Sequence, residues 1–405
     1  MSVPMSCSLS RNDAWGERTF TTMGIQFRLG PNDHKPVEDF LSREHAGTEA
    51  ITLDTKAARH QGAAAAAAAD AGLQVYWEPA AERLADEGFG LDKLPLWTGQ
   101  PYDIDNLSAD QAARAALVDL TVEKHPVLVT HVTAPHFYVT DERTARLNVD
   151  LAERTRLAVG KDKPTRAVIT VSTTALGRLG IDLAAEYAGA GISDVEIRFS
   201  PFGGDDEGIR KIRTAFGVLD RFREHDLTVT LGLSGNIGRA ALAMGHADAY
   251  SVGLGMLEKV NHPQTMARYR KAPDPDKDQG GGAAGGIYLP LLGATVSAKA
   301  ARQLLSHTDI RTRVGCRIGS CRNSVTGPLD DRRAHYLHSR SSEVAEMLRR
   351  PAPWRGAMEI DRLNVAIGLR ERVNEHYLSD DVHKLGTRTM RSLIDEIQHE
   401  QQQAS

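Results

Sequence analysis

Cys316, Cys321, His335 and His338 are spaced C-x4-C-x13-H-x2-H within the stretch RVGCRIGSCRNSVTGPLDDRRAHYLHSR. Zinc takes thiolates and imidazoles in a four-coordinate shell, so these residues could supply a complete one. The same letters also fit a loop and helix carrying two reduced thiols. A second set of reactive residues closes the apolar runs earlier in the chain: Arg28, Asp54 with Lys56, Glu78, His131 with His136, Ser172, Arg198, Ser234 with Asn236, and Ser251. A charge ending an otherwise buried strand is costly unless it has a partner or a task.

Each of these has a chemistry to offer. Asp54, followed by Lys56, is the first candidate general acid or base, and Glu78 a second carboxylate. His131 and His136 flank the turn HVTAPH and could titrate near neutrality. Arg198 and Ser251 complete the catalytic candidates, although ion pairing between such groups would serve stability equally well. Two glycine-bearing turns, GLSGNIG (232–238) and SVGLG (251–255), could present backbone amides to an anion. With Arg28, their Ser234, Gly235, Asn236 and Gly253 form the expected substrate- or anion-binding set.

The elements that must position these residues are legible as alternating β-rich and helical patterns. Strands are expected at 25–30, 50–55, 73–78, 126–132, 166–172, 194–199, 227–233 and 249–254, several of them almost continuously apolar or small. Between them lie helical patterns. One is the poly-alanine stretch HQGAAAAAAADAG; another opens on Ser108 as an expected N-cap; a third is DDEGIRKIRTAFGVLDRFREH, with its apolar face at Ile209, Ile212, Phe216, Leu219 and Phe222. This order predicts an α/β fold, a (β/α)8 TIM-like barrel, whose active residues gather at the C-terminal ends of the strands. No GxGxxG follows the first strand, and no HExxH occurs. The expected organisation is a disordered 1–23, a barrel over 24–270, a flexible Gly/Asp/Pro-rich linker over 271–286, a helical C-terminal subdomain over 287–398 that could carry the zinc set, and a disordered tail at 399–405.

Composition narrows the field further. The 49 basic and 53 acidic residues give a net charge of −4, which favours no class of partner by itself. Three cysteines are too few for a disulfide framework. The N-terminal segment has no apolar core of a secretory signal, and no apolar run approaches a membrane span, so a cytoplasmic protein without membrane contact is expected. Between Lys299 and His376 there are fifteen basic and nine acidic residues, so an arginine-rich C-terminal third could meet an anion.

Three stretches resemble the tRNA-guanine transglycosylase superfamily. ITLDTKA, with Asp54, is similar to the family's LDSGG-type segment; LGLSGNIGRAALAMGHADAYSVG is similar to its glycine–helix–(G)VDMFD segment; AHYLHSRSSEVAEM is similar to its YLRHL-type zinc helix. The resemblance implies a barrel with a structural Zn2+, acting on a nucleobase or nucleic acid, with Asp54 catalytic and arginines after 310 on phosphate. It also sets Ser251 where the family carries its nucleophilic Asp, and two cysteines where the family has three. The alternatives are a lyase or isomerase of a small phosphorylated or carboxylated metabolite, needing the same anion loops but no basic appendage, and a catalytically inactive barrel that acts as a binding subunit. Homo-oligomerisation is open in each case.

Overall fold

In the computed structural model, residues 23–43, 45–254, 258–271, 286–316, 318–322 and 327–403 are described. The expected disordered 1–23 falls outside them except for Met23, as does nearly all of the expected linker. Eight parallel strands form one sheet: β1 Gly24–Arg28, β2 Thr48–Leu53, β3 Gln74–Trp77, β4 Val132–Thr133, β5 Thr165–Ser172, β6 Asp194–Ser200, β7 Thr228–Leu231 and β8 Ala249–Gly253. Their spatial order is β3-β2-β1-β8-β7-β6-β5-β4. At the seam between β3 and β4, Thr130 donates its N–H to the Val75 carbonyl at 2.9 Å, and its hydroxyl accepts from Val75 N at 2.9 Å. The sheet is thus a nearly closed TIM-like barrel, as the alternating pattern predicts.

The strands form where β-branched residues are buried on both faces. β2 and β5 are buried throughout, their outer sides covered by helices. The poly-alanine stretch becomes the helix Gly62–Asp70, and its buried Ala64, Ala65 and Ala68 allow close approach to the sheet. The helix expected to open on Ser108 begins instead at Gln111. Asp110 is its cap, accepting from Ala112 N at 2.8 Å, while Ser108 lies in a separate short helix, Ile104–Ala109. Asp141 and Asp182 cap the helices Glu142–Val159 and Leu183–Gly189 in the same way.

The expected strand 126–132 needs a larger correction. Val127 is 89% exposed and Leu128 43%, and the ladder begins only at Val132. His131 therefore enters the barrel at the N-terminal end of β4, facing Tyr76 with ring centroids 5.2 Å apart.

Beyond β8 the chain completes the outer layer. The helix Arg332–Leu348 lies over β1 and the helix His34–Leu41; Tyr336, Leu337, Val344 and Met347 join the same core as Phe27 and Phe40. The contact is close enough that a Cβ on Gly47 (φ +88°) would collide with the backbone of Ser341 and Ala345. The helix Ala352–His376 packs on Asn236–Met244, and Arg388–Gln403 packs on Ile209–Glu224. The final helix runs through Gln403, so 399–403 is helical rather than the expected disordered tail. A satellite core forms around the antiparallel hairpin Ile287–Leu289/Ala294–Val296 and the helices Ala298–Ser306 and Thr308–Val314. Among the described residues, no helix is long and apolar enough to cross a membrane.

Candidate active site

β6 supplies the spine of the site. Its outward residues Val195, Ile197 and Phe199 belong to the apolar core, and Asp194, Glu196, Arg198 and Ser200, all buried, alternate with them. Glu196 is held by Arg166 of β5 (3.0 Å) and by Arg198 (2.9 Å), and it accepts from the Ser251 hydroxyl at 2.9 Å. Arg166 also donates to Gln26, which bonds Thr230 across the lumen. Toward the C-terminal ends of the strands, Arg198 grips Glu78 with two bonds of 2.9 and 2.6 Å, and Arg28 closes on the same carboxylate. Burial pushes Glu78 up, but the Arg198 and Arg28 guanidiniums more than reverse it and hold the carboxyl well below the usual range. Glu196 is brought down to about 2 when Arg198 and Arg166 overcome the same burial cost.

Above this column three groups converge without being satisfied. Glu82 follows β3 in a short 3-10 turn, His136 lies in the loop after β4, and His262 opens the helix His262–Tyr269. Glu82 Oε2 stands 3.5 Å from His136 Nε2 and 3.8 Å from His262 Nε2. None of these three atoms, nor His136 Nδ1, has a hydrogen-bond partner, although each is sealed from solvent. Burial pushes the Glu82 carboxyl up, and the two imidazoles facing it bring it down to about 2; burial lowers His262. The ring of Tyr138 stacks on His262 with centroids 4.1 Å apart, and Asn148 clamps the loop carrying His136 through both Phe137 N and Phe137 O (2.9 and 2.7 Å). Alongside, the loop after β3 and Arg270 line a cavity of about 900 Å³ that includes Asp86, Phe89 and Trp97.

Of the expected catalytic set, Glu78 and Arg198 meet at this mouth, joined by Arg28 from the expected anion-binding set. His131 does not, because it sits at the opposite end of the barrel. Asp54 turns its Oδ1 to the amides of Lys56 and Ala57 (both 2.9 Å), capping the turn after β2. Lys56 extends toward the Gly90 carbonyl. Ser251 is committed to Glu196 and to Leu233 N.

The expected anion loop is filled by the protein itself. The Glu258 carboxylate lies against Gly235, the N-cap of Asn236–Met244, so closely that a Cβ there would displace it. Asn236 bonds the Gly293 carbonyl at 2.8 Å, the Ser234 hydroxyl bonds the Leu231 carbonyl, and Gly253 pairs with Arg28 in the ladder. Sequence reasoning missed Glu82, His262, Arg166 and Glu196. The alternation in DVEIRFS was the available sign for Glu196; nothing local marks His262.

Among the described residues, two groups have donor atoms close enough to hold a metal ion, Cys316/Cys321/His335/His338 and Glu78/Glu82/His136. The second fits a cation poorly, because two guanidiniums already hold Glu78.

No family model matches the chain, and no curated protein matches it. Among solved structures, a native KDPGal structure is 12% identical over 61% of this chain and 89% of that one, with a TM-score of 0.30. The carboxyl transferase domain of Rhizobium etli pyruvate carboxylase is 12% identical over 93% of this chain and 61% of that one, at 0.35. Dihydrodipicolinate synthase from Bacillus clausii is 10% identical over 94% and 98%, at 0.23. These likenesses are too remote to carry an activity. None of the three is a tRNA-guanine transglycosylase, contrary to the expected resemblance to that superfamily. The site agrees with the correction, since a buried serine bonded to Glu196 stands where a nucleophilic carboxylate would be needed.

Proposed function

We propose that the mouth of this barrel is the active site of a lyase or isomerase acting by proton transfer on a small carboxylated or phosphorylated metabolite. The observation that carries the reading is the convergence of sealed atoms on Glu82, His136 and His262, facing one another at 3.5 and 3.8 Å without a hydrogen bond, beside a doubly gripped Glu78. Unsatisfied buried groups of this kind cost stability and gather where a ligand completes them. Arg28, the more open of the two arginines on Glu78, is placed to receive the substrate's anionic group. His262, which burial favours in its neutral form, would take a proton from the carbon next to a carbonyl, and His136 would hand a proton to that carbonyl's oxygen, giving an enol that the reverse transfers collapse.

The nucleic-acid reading draws less support, because many arginines of the C-terminal third are engaged within the fold. Arg340 pairs with Glu258, Arg362 with Glu359, Arg370 with Asp205, Arg333 with Asp33 and Arg391 with Glu371.

The test is a thermal-shift screen of small 2-oxo acids, hydroxy acids and sugar phosphates. Compounds that stabilise the protein are then followed by NMR for deuterium entering from D2O. A hit that exchanges with the native chain should lose about 10²- to 10⁴-fold in rate in His136→Gln. Unchanged exchange in His136→Gln, or no stabilisation by any anionic compound, would overturn the proposal.

A further inference from the structure

The geometry points to a structural zinc site formed by Cys316, Cys321, His335 and His338, independent of the barrel mouth. One donor atom from each residue lies within 4.8 Å of all the others, with Cys316 Sγ 3.3 Å from His338 Nε2 and Cys321 Sγ 3.3 Å from His335 Nδ1. A tetrahedron with Zn–N near 2.0 Å and Zn–S near 2.3 Å has edges of roughly 3.3 to 3.8 Å, so the two measured pairs are already at the required separation.

The outer contacts orient the donors as a metal would need them. His335 Nε2 donates to the Tyr288 carbonyl at 2.6 Å, which leaves Nδ1 with its lone pair turned toward Cys321. Ile318 N approaches the Cys316 sulfur at 3.4 Å, as a hydrogen bond to a thiolate would. Cys316, Cys321 and His335 are buried, the cysteines are not bridged, and the four residues fill every position of a tetrahedral shell. A closed S2N2 set selects zinc and gives a structural rather than a catalytic site. Two thiolates also cancel the charge of the dication, so the centre can be buried without a further partner.

Its placement says what it would hold. Tyr336, next to His335, meets Phe27 edge-on with centroids 6.4 Å apart, and Phe27 belongs to the apolar core outside the lumen. The helix with both histidines therefore covers β1, while Cys316 follows Thr308–Val314 of the satellite core. Zinc would pin the Cys316 end of that satellite to the barrel wall, in addition to the apolar contacts of the helix Ala352–His376, whose Leu363 and Ile367 lie in the barrel core and Leu369 and Val373 in the satellite core.

Elemental analysis of the purified full-length chain should find one zinc per chain, and Cys316→Ser and His335→Ala should each lose it. Because a variant could fail to fold, the native chain supplies a second measurement. Zinc is stripped with a chelator and replaced by Co2+, which should give the visible bands of a tetrahedral thiolate–imidazole centre and recover the melting temperature lost on stripping. Absence of zinc with no Co2+ spectrum, a Cys316–Cys321 disulfide in the native chain, or zinc retained in a Cys316→Ser/Cys321→Ser double variant would each overturn the assignment.

Discussion

At the scale of single residues, the interior of this barrel holds a chain of buried charges beside its apolar core. Arg166, Glu196, Arg198 and Glu78 are all buried, and each is paired by the next. Removing one member leaves its neighbours charged in a place water cannot reach. Glu196→Gln is expected to lose about 3–5 kcal/mol in urea unfolding near neutral pH. Its folded pKa of about 2 adds a second readout. A depressed carboxylate contributes stability above its unfolded pKa near 4.5 and loses it as pH falls toward 2. The variant's acid limb should therefore be flatter than the native one. Arg198 and Glu78 were legible in the sequence as polar ends of apolar runs. Arg166 and Glu196 were passed over, although DVEIRFS alternates, because reading a strand for its apolar content overlooks the charges between. Asp54 shows the converse: a carboxylate at a strand end suits catalysis and turn capping equally, and only the positions of the Lys56 and Ala57 amides tell them apart.

At the scale of elements, the loop after β4 decides where the candidate chemistry lies. The run PVLVTHV has the composition of a strand, yet its first residues lie on the surface and the ladder begins at its last residue. β-propensity describes what a half-buried pleated surface accepts, and here the surrounding fold overrides it. The other seven strands fall within about two residues of their expected positions, the usual uncertainty of an element end. The shift moves His131 away from the mouth and leaves His136 on the loop that Asn148 clamps. Asn148 touches no candidate reacting group, so it would act as a positioning residue. Asn148→Ala should cost about 1–3 kcal/mol, because Phe137 N and O lose their buried partners. If the clamp aims His136, the deuterium-exchange rate at saturation should fall much more than substrate affinity, while a purely structural role would lower active fraction alone.

At the scale of the whole molecule, the C-terminal region is part of the barrel's outer wall. Its apolar residues Leu363 and Ile397 lie in the same core as the strands, and charged residues tie its last helix to the wall. His246, just past Asn236–Met244, contacts Asp220 of Ile209–Glu224 at 2.8 Å and Glu400 of Arg388–Gln403 at 3.0 Å, while stacking on Phe216 at 4.5 Å. Burial opposes its charge, but the two carboxylates more than offset this and raise its pKa to about 9. A raised histidine pKa means that the folded state prefers the imidazolium, so the contribution is fully present below the unfolded value of about 6.5. It declines as pH rises and is gone above about 9, where the folded chain also releases the proton. The melting temperature should therefore fall between about pH 6.5 and 9. Glu400→Gln should lower it at pH 6 and flatten the decline, bringing the two proteins together at alkaline pH. A native profile level across that window, or one that Glu400→Gln leaves unchanged, would mean that this three-helix contact does not hold the C-terminal helix to the barrel.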